Sequence, residues 1–127
     1  MSQVILICVG GALGTGIRYL AGALAVHWLG TGFPYGTLAV NLAGAFLIGL
    51  VQGLVLGLIP EGLRLFLVVG VLGGMTTYSA FAYETVRLMT LGAWGKASAN
   101  LALTNCLCLA LCWLGVAAAR VVTGPSN

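Results

Sequence analysis

A four-span, all-α integral membrane domain is the fold class this sequence predicts, and three observations predict it. Of the 127 residues, 61% are hydrophobic and 6% are charged, and the mean hydropathy is +1.12. A soluble domain of this size has no use for so much apolar surface. A bilayer core asks for roughly 20 apolar residues per crossing helix, and the apolar residues fall into four runs of about that length or more. Three short links rich in turn formers separate the runs: GTGFP at 30–34, IPEG at 59–62 and LGAWG at 91–95. One compact domain, 1–127, accounts for the whole chain, with no room for a soluble module.

Span one is expected over 4–28. It lacks a basic n-region, and its apolar run continues into a full crossing, so it reads as a helix rather than a cleaved signal. Span two is expected over 35–58, span three over 63–89 and span four over 96–122. Trp28, Tyr35, Trp94 and Trp113 fall near or within span ends, where amphipathic rings favour the interface. Small residues recur at four-residue spacing: Gly10 and Gly14 in span one, Gly49, Gly53 and Gly57 in span two, Gly70 and Gly74 in span three. In lipid such spacing lets helix backbones approach closely.

Span three carries the sharpest local signal. Residues 70–81 read GVLGGMTTYSAF, with an interruption of the helix expected near 73–77. Backbone freed at membrane depth is tolerated only where protein, water or an ion satisfies it. The stretch is therefore a candidate ion or substrate site.

The charge balance excludes some functions and leaves orientation open. The net charge of +3 is spread over Arg18, Arg64, Arg87, Lys96 and Arg120. With no basic cluster, nucleic acid is not an expected partner. Four spans put both termini on one side with Arg64 and Arg120, and leave Arg87 and Lys96 on the other. The positive-inside rule needs an asymmetry, and two against two provides none. The chain is expected to insert both ways up, and opposite copies to pair as an antiparallel dual-topology dimer. Cys8, Cys106, Cys108 and Cys112 all lie in apolar runs without a Cys-x-x-Cys pair, so they read as small packing residues.

Polar groups inside the spans mark the candidate pathway, because membranes tolerate few without a role. Asn41 and Gln52 are eleven residues apart and face nearly the same way on a helix. Asn100, Thr104 and Cys108 repeat every four residues in span four, with Asn105 adjacent. Tyr78 and Phe81 share a face of span three, with Thr77, Ser79 and Glu84 nearby. Each Asn by itself reads equally well as interhelical glue; aligned as two stripes they favour a hydrated path. Amides, hydroxyls and the mid-span Arg18 suit an anion, and ring edges are also electropositive. Freed carbonyls at 73–77 offer the opposite chemistry, a seat for a hard cation such as Na⁺.

On four stretches the chain resembles the Fluc/CrcB fluoride channel family: GGALGTGIRY at 10–19, GTLAVNLAGAF at 36–46, residues 70–81, and NLALT at 100–104. The resemblance implies an antiparallel homodimer in the bacterial inner membrane, with two fluoride pores and a central structural Na⁺. It implies passive fluoride efflux that lowers cytoplasmic fluoride. Asn41 would be the pore amide, and Tyr78 and Phe81 the two aromatic-box positions. Ser79 and Thr104 would be pathway hydroxyls. The carbonyls of Gly73 and Thr76 would ligate Na⁺, two from each subunit. Arg18 would sit near a vestibule and Glu84 near the end of the track. Two departures stand out: Tyr78 where the family usually has Phe, and a fourth-helix track with Asn100 where many members have Tyr and Cys108 where a hydroxyl residue is common.

Two rival classes are open to the same residues. A small four-helix drug/proton antiporter generally needs a carboxylate in its first span, and span one has none. A non-transport assembly protein would use its polar residues only as glue. An enzyme has no support, since the chain holds one His and no apparent Ser/His/Asp set.

Overall fold

The computed structural model describes residues 1–54 and 58–124. The chain is helical nearly throughout: α1 (Ser2–Leu29), α2 (Tyr35–Leu54), α3 (Glu61–Arg64), a π-helical stretch π1 (Leu65–Leu72), α4 (Gly73–Met75), α5 (Tyr78–Thr90) and α6 (Trp94–Thr123). Taking α3 to α5 as one stretch, Glu61–Thr90, four helical stretches of 28, 20, 30 and 30 residues are long and apolar enough to cross a membrane. At 1.5 Å per residue the shortest spans about 30 Å, the thickness of a hydrocarbon core.

The boundaries follow local chemistry. Gly30 ends α1 with φ 78°, and Gly92 follows α5 with φ 73°, conformations that cost a side chain but not glycine. Pro60 precedes α3, where its missing N–H is no loss. Span two was expected to reach residue 58. Leu58 lies in a bend, and residues 55–57, including Gly57 of the glycine repeat, lie outside the described residues.

Within 73–77, Gly73–Met75 are helical, while Thr76 (φ −81°, ψ 154°) and Thr77 (φ −155°, ψ 120°) are extended. The two threonines use their hydroxyls to tie off the helix ends on either side. Thr76 Oγ1 donates back to the Leu72 carbonyl at 2.8 Å. Thr77 Oγ1 accepts from the Ala80 N–H at 3.2 Å and so caps α5. The π-helical geometry of Leu65–Leu72, just ahead of this point, carried no sequence signal.

Packing is reversed from that of a soluble domain. The buried residues of α1 are Gly10 and Gly14, while Val4, Leu13, Leu20, Leu24 and Trp28 point outwards. The apolar exterior is what lipid requires, and small residues form the interior contacts. Gly10 lies against Gly70, and Gly14 against Val71 and Met75. Gly49 lies against the Cys112 carbonyl, and Gly115 against that of Phe46. The glycine spacing thus packs α1 on π1 and α4, and α2 on α6. A small core of Val40, Leu72 and Met75, flanked by Ala21 and Ile48, fills the centre.

Candidate pore site

The extended pair Thr76–Thr77 opens onto a groove of about 440 Å³ walled by α2, π1, the start of α4, α5 and α6. Six of the predicted site residues line it: Asn41, Gly73, Thr76, Tyr78, Phe81 and Thr104. Thr77, Asn105 and Cys108 also contribute.

Asn41 is the hinge of the arrangement. Its Nδ2 donates to the Thr77 carbonyl at 3.1 Å, and its Oδ1 accepts from the Thr77 N–H at 2.9 Å. The side-chain amide thus pairs with the extended backbone as a neighbouring strand would. This meets the demand that backbone polar groups at membrane depth find partners. One Nδ2 hydrogen and acceptor capacity on Oδ1 are left over. Because Thr77 donates to Asn41, it does not donate to Gly73, the carbonyl four residues back. The last carbonyls before the extended pair are left without helical partners, and Gly73 itself is exposed.

The aromatic pair differs sharply in exposure. Phe81 is 3% exposed and Tyr78 77%. Their ring centroids are 5.4 Å apart and the rings are tilted at 54°, within the centroid range of favourable aromatic pairs. Ser79 is exposed, and its Oγ lies 3.2 Å from Thr77 Oγ1. It stands beside the groove and does not line it.

The polar stripe expected along α6 divides. Thr104 and Cys108 line the groove, but Asn100 is 1% exposed and turns towards α5. Its Nδ2 donates to Thr85 Oγ1 at 2.9 Å, and Thr85 Oγ1 donates to the Phe81 carbonyl at 2.7 Å. Thr104 Oγ1 reaches Asn100 Oδ1 at 3.4 Å. This relay joins the groove wall on α6 to the turn of α5 that carries Phe81. Asn105 donates to the Leu101 carbonyl of its own helix at 2.8 Å. Gln52, paired with Asn41 in the α2 stripe, is exposed and outside the groove lining.

Glu84 and Arg18 lie away from the groove. Glu84 Oε1 accepts from Thr37 Oγ1 at 2.8 Å, while Oε2 is buried without a hydrogen-bond partner. Glu84 lines a second pocket of about 250 Å³ with Arg87 and Lys96. The half-buried Arg18 lines neither cavity. Sequence reasoning missed Thr37 and Thr85. The available signal was spacing: Thr37 is four residues from Asn41, and Thr85 four from Phe81.

Four apolar helical stretches long enough to cross a membrane, three of them walling a groove that carries amide and hydroxyl side chains, define a multi-pass membrane protein of the channel or transporter class. The chain matches the family model described as CrcB-like protein, Camphor Resistance (CrcB), over residues 5–116. It is 47% identical over 122 residues to the fluoride-specific ion channel FluC of Geobacter metallireducens, covering 94% of this chain and 98% of that one. It is 44% identical over 126 residues to the protein of the same name from Anaeromyxobacter dehalogenans, covering 98% and 100%. With that of Shewanella loihica it shares 42% over 117 residues, covering 91% and 94%. This chain belongs to the CrcB family, a family of ion channels rather than enzymes.

Proposed function

We propose that this protein is a fluoride-selective channel that lets fluoride leave the cytoplasm passively through the bacterial inner membrane. The observation that carries the reading is the groove wall itself. It combines a clamped amide at Asn41, the tilted Tyr78–Phe81 pair and the Thr104 hydroxyl. A small, strongly hydrated anion needs donors to replace its water. The remaining Asn41 N–H, the hydroxyls and the electropositive ring edges are such donors, and none carries a full charge that would trap the ion. The two hydrogen bonds to Thr77 hold the Asn41 amide in place, so little reorganisation accompanies passage.

The functional unit in this reading is an antiparallel, dual-topology homodimer with two pores. The balance of Arg64 and Arg120 against Arg87 and Lys96 supports insertion both ways up. The exposure of Tyr78 also supports it, since a second copy would close the open side of the groove. The extended Thr76–Thr77 pair serves as the break in the third span. The carbonyls of Gly73 and Thr76 fit a structural Na⁺ at the dimer axis. They lie where helical bonding lapses, and a hard cation takes oxygen ligands. When bound, the ion would neutralise the carbonyl ends of the interrupted helices.

Purified protein in liposomes loaded with KF, followed by a fluoride electrode after valinomycin, tests the reading, with KCl-loaded liposomes in parallel. Rapid fluoride release without chloride release is expected. Silence in both, from dimeric protein, would discard it.

A further inference from the structure

The second pocket, of about 250 Å³, lies where the end of α1, the 30–34 link, the last turn of α5 and the first turn of α6 meet. Arg87 and Lys96 both line it, and Glu84 is its acidic member. Lys96 does not simply extend into the headgroups. Its Nζ comes within 3.3 Å of where a Cβ on Gly32 would stand, so the ammonium folds over the 30–34 link and closes one side of the pocket. Two cations against one carboxylate leave the pocket net positive. The other acidic residue of the chain, Glu61, is the first residue of α3, at the opposite end of the spans.

The pocket is also in line with the groove. Thr37 and Asn41 are one turn apart on α2, and Glu84 and Phe81 one turn apart on α5. The Thr37–Glu84 hydrogen bond therefore lies between the charged pocket and the Asn41–Phe81 wall. We infer that Arg87 and Lys96 form an anion-gathering mouth, which concentrates small inorganic anions at this end of the α2–α5 seam. A low-dielectric cleft with a net excess of positive charge raises the local concentration of anions and speeds their entry. The inference rests on the fluoride-channel reading and adds two residues that the groove does not contain.

Ionic strength separates this role from a structural one, because screening removes steering but does not mend a damaged pore. Fluoride efflux is measured from phosphatidylcholine liposomes at low KF, with potassium gluconate raised as an impermeant salt. The Arg87→Gln/Lys96→Gln variant, carrying Arg64→Gln and Arg120→Gln as well so that the charge balance between the two sides is kept, is expected to be slower than the unmodified protein by roughly tenfold at low salt. The gap should close as the Debye length falls from about 30 Å at 0.01 M to about 3 Å at 1 M. The charge-keeping pair Arg87→Lys/Lys96→Arg is expected to rescue the low-salt rate.

Equal rates at every salt, or a deficit that salt does not change, would overturn the mouth and leave the channel reading standing. So would a charge-keeping pair as slow as the neutral one. A deficit that appears only when anionic lipid is added would assign the cations to lipid headgroups instead. If the unmodified protein itself releases no fluoride, the channel reading falls first and the mouth with it.

Discussion

The seam between α1 and π1 and the groove between α2, α5 and α6 are built from the same apolar chain and solve opposite problems. Along the seam, Gly10 and Gly14 set α1 directly against Gly70 and Val71. Lipid provides no hydrophobic drive for helices to associate, so close van der Waals contact between backbones has to supply it. Along the groove, Asn41 and Thr77 hold two stretches apart by bonding to each other, and space remains between the walls. In this protein, glycine closes interfaces, and side-chain amides and hydroxyls keep one open.

The comparison breaks most completely on the glycine side. At Gly14 a Cβ would collide with the Val71 carbonyl, which is backbone and cannot swing away. Gly14→Val should cost about 3 kcal/mol, the upper range for overpacking. Loss of the folded species on size-exclusion chromatography in detergent checks this. Gly11 and Gly16 meet nothing within 4 Å, so Gly16→Ala is the matched control and should fold normally.

On the groove side, function should fail before folding does. Asn41→Asp keeps an acceptor for the Thr77 N–H but loses the donor to its carbonyl, and sets a negative charge on the path. Fluoride efflux should fall below detection through charge repulsion, while the dimer still forms. Undiminished efflux would remove Asn41 from the pore. Phe81→Ile keeps most of the apolar bulk of a residue only 3% exposed but removes the ring edge. Taking an aromatic-pair value of about 0.5–1.5 kcal/mol, efflux should drop several-fold, with a much smaller loss of thermal stability.

Asn100→Leu probes the boundary between the two regimes. It deletes the link between Thr85 and Thr104 without touching the groove wall directly. A membrane hydrogen bond of this kind is worth about 0.6–2 kcal/mol. Thermal stability should fall by that order, and efflux by less than in Phe81→Ile. An efflux loss equal to that of Asn41→Asp would show that Asn100 lies on the path after all. A final test concerns orientation. Several Lys added to the 91–95 link should bias insertion to one side, as read by labelling of an introduced surface cysteine. Full activity from a population in a single orientation would exclude the antiparallel pairing.

Much of the architecture was legible residue by residue. The four spans followed from hydropathy, because a bilayer forces every crossing segment to be apolar and helical. The glycine repeats announced close seams, and Gly10, Gly14, Gly49 and Gly53 do face neighbouring helices. Asn41, Tyr78, Phe81 and Thr104 were legible as polar or aromatic residues on helix faces, and one groove does collect them. The stripe on α6 divides: Thr104 and Cys108 line the groove, whereas Asn100, with the same spacing, is buried against Thr85. Periodicity states which side of a helix a residue occupies and is silent on what stands opposite.

That is the division between sequence and fold here. The sequence alone determined what the solvent demands: four apolar helices, an interruption expected somewhere in 73–77, glycine where backbones must touch, and no charge bias to orient the chain. Only the tertiary structure decided how each polar group was satisfied. It gave the Asn41 amide to Thr77, Thr37 to Glu84 and Asn100 to Thr85. Those pairings join residues 15 to 47 positions apart. A hydrogen bond between helices depends on which faces meet, and that is settled by packing the whole bundle rather than by the pattern along any one span.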